Sequence, residues 1–167
     1  MRQKFAFTLL DLLLALSAVA VGASLAIPAY FANPDVTLEK AGILLARDLR
    51  AAQNRAAYFA EPCHFEFLDE GRGYQVTDRE GDVVIHQSTQ LDFVRRYAED
   101  GVFEGVEILE IEAGGDRVVP IDAMGRPAES ARITLGYRGQ RRVVELKQGT
   151  GAVELIGTSS NFQDRGY

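Results

Sequence analysis

Between Phe5 and Pro34 the only side chain that carries a charge is Asp11. A carboxylate in an apolar helix costs about 2.5–3.5 kcal/mol at the helix centre on insertion scales, so its chemistry is charge pairing with a nearby cation. Asp78, Glu80 and Asp82 are spaced by two around Gly81. Three oxygen ligands at that spacing converge on Ca²⁺ if the turn is tight, and the same run also makes a solvated hairpin tip. Cys63 and His64 are adjacent; neighbours along a strand point to opposite faces and do not readily share a metal, and His86 adds one remote ligand at most. The expectation is a buried thiol, two ordinary histidines and no metal. Arg95-Arg96 and Arg141-Arg142 are basic pairs with Asp92, Glu99, Asp100 and Glu145 close in sequence, and read as solvated strand or turn faces. No Gly-x-Ser-x-Gly and no Gly-x-x-x-x-Gly-Lys occurs, and no Ser/His/Asp set has a recognisable context, so neither an enzyme nor a cofactor is expected.

The chain that must position these groups has 167 residues and a mass of 18.3 kDa, enough for one core. Its net charge of −6 argues against a general nucleic-acid or anionic-membrane binder. Apolar residues make up 47%, yet mean hydropathy is only −0.07, so a polar domain coexists with an apolar segment. That segment is N-terminal. With a single cysteine, an intramolecular disulfide is excluded, as is a multi-cysteine metal site.

Arg2 and Lys4 precede an uncharged run over 12–34. About 20 apolar residues cross the ~30 Å hydrocarbon core, and the basic start places the N-terminus in the cytoplasm and everything after residue 34 outside. A cleaved secretory signal is the competing reading, with Ala18-Val19-Ala20 as its cut site, but Asp11 sits badly in a signal-peptide core. Pro28 is expected to bend or loosen the helix, and Pro34 reinforces the break. From there Leu38, Ala41, Leu45, Leu49, Ala52, Ala56 and Phe59 recur at three and four residues, an apolar stripe that Pro62 should end; Lys40, Arg47, Arg50 and Asn54 lie off it. Beyond Pro62 the predicted strands are 63–67, 73–76, 82–86, 91–95, 102–112, 117–121, 131–137, 141–147 and 152–156, separated by Gly-containing turns. Closely spaced strands of this kind form a sandwich, or two sheets packed on the helix.

The run Ala6-Phe7-Thr8-Leu9-Leu10-Asp11, the apolar helix after it and Ile27-Pro28-Ala29-Tyr30 resemble the N-terminal signature of type IV pilins and type II secretion pseudopilins. Ala6 stands where that family usually has Gly, and Asp11 where it usually has Glu. The resemblance implies cleavage by a prepilin peptidase between Ala6 and Phe7, N-methylation of Phe7, and pairing of Asp11 with the new amine of a neighbouring subunit. The second part of the chain is similar to the H-type minor pseudopilins, the GspH/FimT group. That similarity rests on residues 46–56, on Gly125-Arg126-Pro127 with Ile133-Thr134-Leu135, on Arg142-Val143-Val144 and on Thr150-Gly151-Ala152-Val153.

The same resemblance implies an α+β fold: a long pilin-like helix, apolar in its first half, packed by its second half on an antiparallel β-sandwich-like domain. The segments are a leader over 1–6, a transmembrane and filament-core helix over 7–34, its amphipathic continuation over 35–62 and a periplasmic β-rich domain over 63–167. The implied protein is a minor pseudopilin, single-pass in the inner membrane. Its partners are other pseudopilins or pilins, the prepilin peptidase, the inner-membrane assembly platform and secreted cargo, with a separate ATPase driving assembly. A minor pilin of a type IV pilus, including one serving DNA uptake, is the alternative within the class, and a secreted periplasmic binding module with a signal peptide is the alternative outside it. The tail from Ser159 to Tyr167 holds one base and one acid, which is no electrostatic grip on DNA.

Overall fold

The computed structural model describes residues 9–31, 34–113 and 117–157, with backbone alone at 23–31 and at residue 70. Helix α1 spans Leu9–Phe31 and α2 spans Pro34–Phe59. The strands are β1 Cys63–Phe67, β2 Gly73–Thr77, β3 Val94–Arg96, β4 Glu107–Glu112, β5 Val118–Ile121, β6 Ala131–Tyr137, β7 Gln140–Leu146 and β8 Val153–Ile156.

Every residue from Leu9 to Gly22 is exposed. Eight large apolar side chains there, including Leu9 at 77% and Val19 at 69%, touch little of the chain's own core. Among the described residues no helix is long and apolar enough to cross a membrane; the side chains of α1 are described only as far as Gly22.

Helix α2 opens on Pro34, whose missing N–H is no loss at a first helical position. Its stripe of Leu38, Ala41, Leu45, Leu49, Ala52 and Ala56 is fully buried, as the spacing predicts. Phe59 departs from that prediction: at the end of the helix it is 50% exposed, with Tyr58 edge-on to its ring and the Arg55 guanidinium above it. The helix stops before Pro62 because Ala60 turns left-handed, φ 54°, while the Glu61 N–H still donates to the Ala56 carbonyl at 3.1 Å. A Cβ in that conformation costs roughly 1 kcal/mol. Ala60→Gly is therefore expected to raise the unfolding free energy by roughly 0.5 kcal/mol, read from the urea midpoint; a lower midpoint would contradict this account of the cap.

Two antiparallel sheets cover α2, in the orders β3-β2-β1-β5 and β4-β6-β7-β8. β1 buries Cys63, Phe65 and Phe67 and turns His64 and Glu66 outward, the alternation that sets its register against Val76 and Val119. Phe65 stacks on Tyr74 with centroids 4.9 Å apart. β6 and β7 meet through Arg138-Gly139, both at positive φ (48° and 82°), the two-residue turn whose twist suits a hairpin.

Two predicted strands are replaced by less regular backbone. Over 82–86 the chain makes only isolated bridges, Thr77 with Val83 and Ile85 with Asp92. Only Val84 and Phe93 find the core, so no alternating face of useful length exists there. The 102–112 segment pairs only from Glu107, because turns around Gly101 and Gly105 (φ 87°) occupy its first half.

Candidate functional site

Three residues beyond Leu45 and four before Ala52, Asp48 falls on the buried stripe of α2 and is 0% exposed. Its Oδ2 accepts a hydrogen bond from the Tyr74 hydroxyl at 2.9 Å and another from Arg95 Nη2 at 3.4 Å. Arg47 Nε, largely in solvent, lies 3.5 Å from Oδ1. Tyr97 is also fully buried, its ring centroid 6.0 Å from that of Tyr74. A lone buried carboxylate is prohibitively costly, and here a phenol and a guanidinium from two strands compensate it. Burial pushes the Tyr74 phenol well above its ordinary range, and Tyr97 and Asp48 push it further. Burial opposes the charge on Arg95, but Tyr74 and Asp48 outweigh it and hold the guanidinium pKa up. The Tyr74 phenol stays a neutral donor, the Tyr97 hydroxyl finds no hydrogen-bond partner among the described residues, and the hydrogen bond and the ion pair tie α2 to β2 and β3 respectively.

This cluster corrects the reading of Arg95-Arg96 as one solvated pair. Arg96 is indeed exposed and meets Glu99 at 3.3 Å, whereas Arg95 turns under the sheet to Asp48. Sequence reasoning missed Asp48 although its signal was present: an acid at i+3 and i−4 from stripe residues must either break the stripe or find a buried partner.

On the other side of α2, Gln53 joins it to the second sheet. The Gln53 amide donates to the Gly151 carbonyl at 3.0 Å, and Arg50 Nη2 reaches the Val153 carbonyl at 2.5 Å. The turn over 122–126, closed by Asp122 Oδ1 accepting from the N–H groups of Met124 and Arg126, lies against the same residue. A Cβ on Gly125, whose φ is +76°, would stand 2.5 Å from the Gln53 carbonyl oxygen. The Gly125-Arg126-Pro127 and Thr150-Gly151 stretches thus meet at one residue of α2, where close backbone approach demands glycine.

The other expected groups are dispersed. Ala6 and Phe7 lie outside the described residues. Asp11 sits in the first turn of α1, and Pro28 lies inside α1, three residues before its end. Asp78 Oδ1 accepts from the Glu80 and Asp82 N–H groups at 3.0 and 2.9 Å, closing a hairpin tip; among the described residues no three His, Cys, Asp or Glu side chains form a metal site. His64 Nδ1 is 3.3 Å from the Asp78 carbonyl, and His86 packs edge-on to Phe93 at 4.4 Å. Cys63 is buried and donates to the Ala52 carbonyl at 3.7 Å. Burial pushes its thiol up to about 11, with Arg55 pulling weakly the other way. Arg141 is exposed and Arg142 half-buried on β7.

The fold has known counterparts. The chain matches two crystal forms of the type IV minor pilin FimU of Pseudomonas aeruginosa. One aligns with a TM-score of 0.54 and 15% identity over 74% of this chain and 92% of FimU. The other aligns with a TM-score of 0.51 and 14% identity over 74% of this chain and 98% of that one. The minor pseudopilin EpsH from the type 2 secretion system of Vibrio cholerae aligns at 0.48, with 11% identity over 72% of this chain and 96% of EpsH. No family model and no curated protein sequence matches the chain. The α+β architecture of a helix under two antiparallel sheets is therefore a pilin-like fold.

Proposed function

We propose that the chain is a minor subunit of a type IV pilin-like filament, and specifically a minor pseudopilin of a type II secretion system. The observation that carries this reading is the exposure of α1: from Leu9 to Gly22 the helix, apolar but for Asp11 and Ser17, is left uncovered by the rest of the described chain. A helix that is apolar all round has to be covered by lipid or by other helices. In this reading both happen in turn. The segment holds the chain in the inner membrane with the β-rich domain in the periplasm, and after cleavage between Ala6 and Phe7 and methylation of Phe7 it enters the filament core. Asp11 then pairs with the Phe7 amine of a neighbour, Pro28 bends the helix, and the two sheets face outward. No step asks for a reacting group in the β-rich domain, and the chain acts as a structural subunit rather than an enzyme.

The likeness of the fold to FimU favours a second reading within the class, a minor pilin of a type IV pilus. Deleting the gene distinguishes the two: loss of secretion of folded exoproteins with pili intact supports the pseudopilin, and the reverse supports the pilin. Fractionation tests the class itself. The chain should be recovered with the inner membrane, and protease added to spheroplasts should remove residues 63–167; recovery in the cytosol would overturn the proposal.

A further inference from the structure

We infer that Asp48 is a positioning residue for assembly: its buried contacts to Tyr74 and Arg95 fix the rotation of α2 under the first sheet, and so the direction of the helix face turned to partners. This rests on the filament reading above.

The apolar packing of α2 does not set that rotation alone. Its buried apolar side chains are Leu38, Leu45 and Leu49 together with Ala41, Ala46, Ala52 and Ala56. Leu38, Leu45 and Leu49 anchor the middle of the stripe, while the four alanine methyl groups fill little space and leave the angle to be set by other contacts as well. Directional contacts cannot roll. A shift of the Asp48 carboxylate by about 1 Å breaks the 2.9 Å bond from Tyr74 on β2 and opens the 3.4 Å contact from Arg95 on β3. On the opposite flank Gln53 and Arg50 hold carbonyls of 151 and 153. Polar ties on both flanks therefore set the angle of the helix about its axis.

That angle decides what the outward face presents. Ile43, Arg47, Asn54 and Tyr58 succeed one another at four- and seven-residue intervals on the exposed side of the helix, with Ile43 53% and Tyr58 78% exposed and Arg47 and Asn54 bordering the cleft against residues 85–95. A buried ion pair contributes little net stability compared with apolar side chains of like volume, so a carboxylate retained in a stripe points to specificity rather than strength.

The test replaces the cluster as a unit with Asp48→Leu, Tyr74→Phe and Arg95→Met in the full chain. Thermal unfolding in detergent should show a midpoint equal to or above that of the parent. Nitroxide labels at Asn54→Cys and Asp69→Cys, both exposed, report the helix angle by their distance distribution, while the buried Cys63 stays unlabelled. The distribution should be narrow in the parent and at least twice as wide in the variant. Recovery of the variant in filaments should fall about tenfold as the competent orientation loses population. A variant that folds with an unchanged distribution, or one with a broadened distribution that enters filaments at the parental level, overturns the inference. If the triple variant does not fold, Arg95→Met with Tyr74→Phe, which leaves Asp48 in place but removes both of its strand contacts, is expected to broaden the distribution in the folded chain, and an unchanged distribution there overturns it as well. A parent chain absent from filaments would instead defeat the functional reading, while the distance measurement would still decide the positioning role.

Discussion

Asp48→Ala is expected to lower the unfolding free energy by about 2–4 kcal/mol, among the largest effects of any single polar substitution in the domain. The methyl group removes the acceptor on which the Tyr74 hydroxyl and Arg95 converge. Tyr74 is 0% exposed and has no route to water, so its hydroxyl is left unsatisfied. The Arg95 side chain is 31% exposed and can recover part of its hydration, which is why the effect stays below the upper end for a fully buried charge. Tyr74→Phe, which removes one donor and leaves the ion pair, should lose roughly 1–1.5 kcal/mol. Urea unfolding of the full chain in mild detergent, followed by the tyrosine near-UV signal, measures both. An Asp48→Ala change below about 0.5 kcal/mol would show that the cluster is not stabilised by these contacts.

The second large effect concerns assembly. Asp11→Ala should reduce recovery of the chain in filaments at least about tenfold, because a cationic amine among apolar helices would then lack its carboxylate. Asp11→Glu restores the charge on a side chain one methylene longer and should assemble at close to the parental level. Neither substitution should move the urea midpoint, since Asp11 lies in the first turn of α1, away from the core under the two sheets. The measurement is the ratio of filament-bound to total protein in cells. An Asp11→Ala chain that assembles normally would remove charge pairing from the account.

Most of the architecture was legible where periodicity was strong. The Leu38-to-Ala56 stripe gave α2, and strict alternation gave β1 over 63–67 and β6 over 131–137 to the residue. Legibility failed where long-range contacts outweighed local pattern. Val83, Val84 and Ile85 read as a strand, but only Val84 reaches the core, and the segment is held by single hydrogen bonds to Val76 and from Phe93. Arg95 and Arg96 read alike because the sequence does not state that a carboxylate waits beneath the sheet. Asp48 itself was visible as an interruption in the stripe, yet naming its partners required the fold that brings residues 47 positions apart to 3.4 Å. Gly125 was legible only as part of a family-like stretch, and Gly151 also as a turn residue, whereas their shared contact with Gln53 exists only in three dimensions.

The central claim is that the exposed apolar helix becomes the N-terminus of the working protein. It is tested most directly by mass spectrometry of the chain purified from membranes of cells that carry a prepilin peptidase. The account predicts a first residue of methylated Phe7; a chain that retains Met1 through Ala6, or one that begins near Val21, would contradict it.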